Sequence, residues 1–271
     1  MSSPQTLSVE AVLEMKPSGE KIAVLTAYDA SMTRHLEAAG VDVILVGDSL
    51  GMVVQGHDST LPVTVDDMIY HCRLVARARE HALLAVDMPY HSYSTVETAL
   101  ANARRLIAEG GADMVKLEGA DAVLEAIRAI VAEGIPVCGH LGLLPQSIEK
   151  LGGYKVQGRE QAAADKMVAD AQALQAAGAR MIVLECIPSA LGRRISEAVT
   201  IPTIGIGAGP DCDGQVLVLY DLLGLTPGKR PKFSKDFLTE MGKGKGITDA
   251  ARAYVEAVKN GTFPGPEHGF Q

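Results

Sequence analysis

Two periodicities alternate along this chain. Short β-branched apolar runs at 21–28, 41–48, 82–88, 113–118, 136–140, 181–186, 203–207 and 215–219 read as strands. Between them, longer alanine-rich stretches at 29–39, 65–80, 95–109, 120–132 and 160–177 carry apolar residues at helical spacing, and several end at a glycine suited to a helix C-cap. One phrase recurs with small changes: AAGVDVILVGD closes at Asp48, EGGADMVKLE at Glu118 and AAGARMIVLE at Glu185. Each reads as a helix stopped by glycine and followed at once by a buried strand, so the acid lands where a strand meets solvent.

Repeated strand and helix units of this kind predict a parallel sheet, and their number predicts a (β/α)₈ TIM barrel. A doubly wound open sheet competes, but its dinucleotide-binding form has Gly-x-Gly-x-x-Gly after the first strand, where this chain has Thr26-Ala27-Tyr28-Asp29. No linker or composition shift divides residues 1–271, so a single domain is expected, with the barrel over roughly 20–240. A C-terminal extension follows over 241–271: an amphipathic helix at 247–259, then a turn-rich tail of the sort that frays or packs on a neighbouring subunit. Residues 142–158 are too long and glycine-rich for an ordinary connection and form a candidate lid or binding loop.

Composition narrows the chemistry. Hydrophobic residues make up 47% of the chain but are spread evenly, with no run near the ~20 residues of a membrane span. The N-terminal MSSPQTLSVE has neither secretory nor transit character, which predicts a cytoplasmic protein. Cys72, Cys138, Cys186 and Cys212 lie far apart without a Cys-x-x-Cys pair, so they read as reduced thiols rather than disulfides or a zinc site. A net charge of −8 without a basic block argues against a nucleic-acid partner, and 4% aromatic residues with no tryptophan argue against a stacking platform. A small-molecule substrate is expected.

The candidate site follows from the strand ends. Neighbouring strands lie about 5 Å apart, so Asp48, Asp87 and Glu118 can converge on one point. Oxygen-only ligands suit Mg²⁺; the other reading is three acids hydrated or paired with lysines. Lys116 shares a strand face with Glu118, while Leu117 takes the opposite face. Inside an apolar run Lys116 points to the barrel mouth, where it holds an anionic substrate group or pairs with Asp87 or Glu118. Glu185, on the sixth strand, faces the substrate from the far side as a general base, or serves as a cap or ion-pair acid. Ser49 can grip a carboxylate or be a turn serine; His140 can donate to substrate or satisfy a buried carbonyl. The glycines at 205, 207 and 209 suit a phosphate cradle or simply a tight barrel turn.

Nine ordered motifs spanning almost the whole chain carry a resemblance: TAYDA (26–30), VGDSLGMVVQGHDSTLPVTVDDM (46–68), DMPY (87–90), KLEG (116–119), GHLGLLPQS (139–147), VLECIP (183–188), IGIGAG (204–209), DGQVLV (213–218) and FPGPEHGF (263–270). The chain resembles the ketopantoate (3-methyl-2-oxobutanoate) hydroxymethyltransferase family. The resemblance implies a Mg²⁺-dependent barrel enzyme of pantothenate and coenzyme A biosynthesis. Such an enzyme transfers a hydroxymethyl group from 5,10-methylenetetrahydrofolate to 3-methyl-2-oxobutanoate, giving 2-dehydropantoate through a Mg-stabilised enolate. It further implies Asp48, Asp87 and Glu118 as metal-site acids, Ser49 and Lys116 as substrate contacts, Glu185 as proton acceptor, and a homo-oligomer, commonly a decamer. Leu144 departs from the family's usual threonine. The competing enzyme class is a Mg-dependent lyase or mutase of the isocitrate lyase and PEP mutase type acting on a 2-oxo acid. Its lyase members have a Lys-x-Cys-Gly-His phrase, which Val137-Cys138-Gly139-His140 does not complete because Pro136 stands at the lysine position. A barrel that has lost catalysis would lack the base or a metal acid, and this chain retains them all.

Overall fold

Strand residues alternate sides, so each apolar run of the sequence supplies two surfaces, one facing the barrel axis and one facing the helices. In the computed structural model, which describes residues 6–148, 153, 155–228 and 230–271, eight strands close into a barrel in chain order. They are β1 (Ile22–Thr26), β2 (Val43–Val46), β3 (Leu83–Asp87), β4 (Met114–Glu118), β5 (Val137–Gly142), β6 (Met181–Glu185), β7 (Thr203–Ile206) and β8 (Gly214–Leu217). Every neighbouring pair is parallel, and β8 closes on β1 with Val24 beside Val216. This is a (β/α)₈ TIM barrel, each strand lying inside or within two residues of its expected run.

The helices in chain order are α1 (Val9–Ser18), α2 (Ala30–Ala39), α3 (Leu50–Val53), α4 (Val65–Ala76), α5 (Val96–Ala108), α6 (Leu124–Ala132), α7 (Gln161–Ala176), α8 (Ser189–Ala198), α9 (Leu219–Leu222), α10 (Phe237–Glu240) and α11 (Ile247–Lys259). Local chemistry starts and stops them. Asp29 accepts the backbone N–H groups of Ser31 and Met32 to begin α2, and Gly40 ends it in the left-handed region at φ 81°. Thr64 and Asp67 form a reciprocal capping box on α4.

Two apolar cores result. The outward residues of the strands, such as Leu25, Ile44, Leu84 and Leu117, pack under the helices. The inward ones, including Val24, Val43, Ala85, Met114, Cys138, Met181 and Ile204, fill the barrel itself together with Val9, Val12 and Met15 of α1. No helix is predicted before β1, yet α1 plugs the N-terminal end of the barrel. Lys16 fixes it there by donating to the carbonyls of Ser196 and Ile201 and to Asp213 at 2.8 Å. The helix α8 fills the place between β6 and β7 that eight repeated units require, although the sequence pattern does not single out its own stretch. The C-terminal helix α11 follows β8 as expected and packs on α2 and β1, where buried Tyr254 donates to the carbonyls of Val24 and Gln215. The tail packs on its own chain: Ser189 donates its N–H to the Phe270 carbonyl at 2.9 Å.

Candidate active site at the barrel mouth

Period two carries the same inward face from apolar to charged residues toward the C-terminal ends of the strands. On β4, Met114, Lys116 and Glu118 point inward while Val115 and Leu117 are buried among the helices. The result is a cavity open to solvent, with about 620 Å³ of empty space when the solvent at its mouth is counted. Asp48, Ser49, Asp87, Lys116, Glu118, His140 and Glu185 all line it. Every site residue picked from the sequence is therefore brought to one place.

Two glycines make the close approaches possible. A Cβ on Gly47 would lie 2.8 Å from Ser49 Oγ and 3.4 Å from Asp87 Oδ2. Its absence lets the backbone N–H of Asp48 donate to Asp87 Oδ2 at 3.0 Å. Gly142, at φ 97°, passes against the Glu185 carbonyl where no side chain fits. The next residue, Leu143, donates its N–H to that carbonyl at 2.8 Å and ties β6 to the β5 loop.

The charged groups form a chain across the cavity floor. Lys116 Nζ lies 2.6 Å from Asp87 Oδ1 and 3.3 Å from His140 Nδ1. His140 Nδ1 lies 3.5 Å from Glu118 Oε1, and its Nε2 lies 3.2 Å from Glu185 Oε2 without the alignment of a hydrogen bond. Lys116 thus takes the ion-pair role in this structure while still facing the cavity. Burial disfavours its charge, but Asp87, Glu118 and Asp48 outweigh burial and hold it above the ordinary lysine range. Burial and Lys116 similarly act to lower His140, yet Glu118 and Glu185 raise it to about 9. Asp48 is pushed well above the carboxylate range, first by burial and then by the charges of Asp87 and Glu118.

Those shifts describe a site short of positive charge. Asp87 Oδ1, although close to Lys116, has no aligned donor. Asp48 and Asp87 stand together and suit Mg²⁺, which takes one or two carboxylates and fills its other positions with water and substrate oxygens. The three acids expected to share one ion divide here. Glu118 turns to His140 and to the backbone N–H of Gln146 at 3.1 Å, and among the described residues no three acid, imidazole or thiol groups converge on a single ion position.

Gln146 is a residue that sequence reasoning missed. Its amide donates to Asp48 Oδ2 at 2.8 Å and to the Met88 carbonyl at 3.0 Å, and its Oε1 accepts from Tyr93. Tyr28 was also passed over; its hydroxyl lies 2.8 Å from Ser49 Oγ. Asp221 and Phe233 complete the cavity wall. The glycines after β7 are used for packing: Gly207 lies against Phe233 and Phe270, and Gly209 against Ser189. In the candidate lid, the structure gives a 3₁₀ turn at Pro145–Ser147, while 149–152 and 154 fall outside the described residues. Leu144 is half-buried and does not line the cavity, unlike its neighbour Pro145. Cys138 lies in the barrel interior, where burial pushes its thiol up to about 12, far from acid–base use. All four cysteines are buried and unpaired, and among the described residues no helix is long and apolar enough to cross a membrane.

Comparison with known proteins gives the family. The chain is 58% identical over 270 residues to a 3-methyl-2-oxobutanoate hydroxymethyltransferase of Alkalilimnicola ehrlichii, covering 98% of this chain and 96% of that one. It is 57% identical over 269 residues to the enzyme so named in Thiobacillus denitrificans, covering 98% and 100%. Among solved structures, 2,3-dimethylmalate lyase, a PEP mutase/isocitrate lyase superfamily member, superposes with a TM-score of 0.59 at 18% identity, over 79% of this chain and 81% of that one. That likeness is one of fold, so the lyase and mutase class is a structural relative only. The family model described as ketopantoate hydroxymethyltransferase matches residues 6–266, and the chain belongs to that family.

Proposed function

We propose that this chain transfers a hydroxymethyl group from 5,10-methylenetetrahydrofolate to 3-methyl-2-oxobutanoate, giving 2-dehydropantoate, at the mouth of the barrel. The observation that carries the reading is one carboxylate, Glu185, facing a buried excess of acids beside Lys116 and Ser49 within a single cavity. Asp48 and Asp87 would hold Mg²⁺, with Glu118 adding negative charge beside them. When bound, Mg²⁺ supplies positive charge to the oxygens of the 2-oxo acid where electron density accumulates.

The protein's own groups do the rest. Lys116 stays charged and neutralises the substrate carboxylate end, and Ser49, held by Tyr28 at 2.8 Å, donates to the same end. Glu185 removes the proton from the β carbon, and the C–H electron pair moves into the enolate; water adds to the folate's methylene carbon as its two C–N bonds break, releasing tetrahydrofolate and a formaldehyde-level carbon, which the enolate carbon attacks, and the resulting alkoxide takes back the proton held by Glu185. Protonated His140, its Nε2 3.2 Å from Glu185 Oε2, attracts that oxygen by charge and leaves the other to take the proton. Leu45, Val183, Ile206 and Val216 give the cavity an apolar wall for the methyl groups. The same reading extends to a cytoplasmic homo-oligomer, decameric by resemblance, with residues 1–271 forming one domain; light scattering of the purified chain tests the subunit number.

The decisive experiment uses Glu185→Gln with Mg²⁺ and 3-methyl-2-oxobutanoate in D₂O. Exchange of the β hydrogen should fall by about 10²- to 10⁴-fold. Exchange at the wild-type rate would remove Glu185 as the base.

A further inference from the structure

The mouth cavity opens to solvent and is lined by residues of all eight strands. The charged groups assigned above all stand on or just after β2 to β6, which leaves the arc from β7 through β8 to β1. That arc is lined by Thr26, Ile206, Val216, Val218, Phe233 and Asp221.

Asp221 is the carboxylate of this arc, and it is buried at 6% exposure. It sits in α9 immediately after β8, and α9 is anchored where the Leu219 N–H donates to Thr26 Oγ1 at 3.0 Å. One carboxylate oxygen accepts from Thr226 Oγ1 at 2.6 Å. No cation among the described residues forms an ion pair with it; Arg230 is engaged with Asp236 at 2.9 Å. A buried carboxylate that faces a cavity with, among the described residues, a single hydroxyl partner has acceptor capacity to spare. Phe233 lines the same cavity, its ring seated against Gly207, where a Cβ would lie 3.0 Å from the ring edge.

We propose that Asp221 and Phe233, with Val218, form the subsite for a planar heterocycle whose edge carries adjacent N–H and NH₂ donors. In the function proposed above, on which this inference rests, that ring is the pterin of the reduced folate. The two acceptor oxygens of a carboxylate match two parallel donors, and the aromatic face covers the ring. In a ring of eight strands β8 lies opposite β4, so the donor enters across from Lys116 and Glu118. It therefore reaches the 2-oxo acid from the side the charged groups leave open.

The test titrates tetrahydrofolate, without oxygen, into the full chain loaded with Mg²⁺. Asp221→Asn keeps the shape but turns an acceptor into a donor facing donors, and should weaken binding by about tenfold or more. Phe233→Leu, which keeps an apolar side chain, should weaken it several-fold. The same preparations are assayed for folate-free exchange of 3-methyl-2-oxobutanoate in D₂O, and in both variants the loss in tetrahydrofolate affinity should exceed the loss in exchange. Unchanged affinity in both variants, or equal losses in both readouts, overturns the subsite. If the unmodified chain binds no tetrahydrofolate, the functional reading fails and the subsite with it.

Discussion

Ala85, Met114, Cys138 and Val183 belong to an aliphatic plug in the barrel, whereas two residues further along the same strands the inward positions are Asp87, Lys116, His140 and Glu185. The step is about 6.6 Å. Below it, α1 seals the interior with Val9, Val12 and Met15, and each buried aliphatic side chain contributes about 1.5–3 kcal/mol. Above it, acids stand close enough to push Asp48 well above its ordinary range, which costs stability wherever the group is ionised. One strand face thus divides its labour by depth. The lower layers supply the stability that lets the upper layer hold charges arranged for a ligand rather than for the fold.

The largest effect should come from the upper layer. Asp87→Ala removes a proposed metal ligand and the partner of Lys116 together. Calorimetry should find affinity for Mg²⁺ and for 3-methyl-2-oxobutanoate reduced by about a hundredfold or more, in line with the loss of a charged pair in a buried site. Unchanged affinity for both would take Asp87 out of the site. The lower layer should answer in the opposite currency. Val12→Asp sets an unpaired carboxylate in the plug and should cost about 3–5 kcal/mol in denaturant unfolding. Substrate affinity of the folded protein should stay near wild type. A large affinity loss at unchanged stability would break the division between the layers.

His140 sharpens the comparison because it belongs to the site and still contributes to the fold. Its pKa is raised to about 9 from the ordinary 6.5, so the stabilisation is fully present below 6.5 and is lost as pH rises through about 9. The gap corresponds to about 3 kcal/mol. Without Mg²⁺, unfolding free energy should decline from pH 6.5 to 9, and His140→Gln should flatten that slope. Parallel curves for the two proteins would show that the imidazole is not held protonated. Gln146→Ala should act more mildly. It releases Asp48, and Mg²⁺ affinity should fall by about 10- to 100-fold, the usual range for a partner that orients a ligand. An unaltered isotherm would mean that Asp48 is positioned by the strand alone.

How much of this was legible in the sequence follows from the same geometry. Strands were readable because a parallel barrel buries both faces, making each run almost continuously apolar, and the acids stood out where the runs end. The helix α1 buries only Val9, Val12 and Met15 and contains Pro17, a stripe too short to announce itself. In α8, Gly192, Arg193 and Arg194 interrupt the apolar pattern. Gln146 carried no signal, since an uncharged amide in a Pro-Gln-Ser turn gains meaning only when the fold sets the β5 loop against Asp48, Met88 and Glu118. Asp221 and Phe233 were hidden for the same reason. Their proximity to the other cavity residues is a product of barrel closure.

Leu144 offers the smallest and finest test. Its side chain is half-buried away from the cavity, and its carbonyl accepts the Ser147 N–H at 2.9 Å whatever residue stands there. As the residue before the 3₁₀ turn it has no capping side chain. Leu144→Thr adds a hydroxyl at a cap position, and with the Gln146 N–H already given to Glu118 at 3.1 Å, stability should change by less than about 0.5 kcal/mol. Affinity for Mg²⁺ should move less than about twofold, since no group facing the cavity is altered. Calorimetry and thermal unfolding on the paired proteins check both. A tenfold change in metal affinity would instead mean that the new hydroxyl captures the Gln146 N–H and releases Glu118 toward the acids of β2 and β3. The division of the three carboxylates would then be set by the loop rather than by the strands.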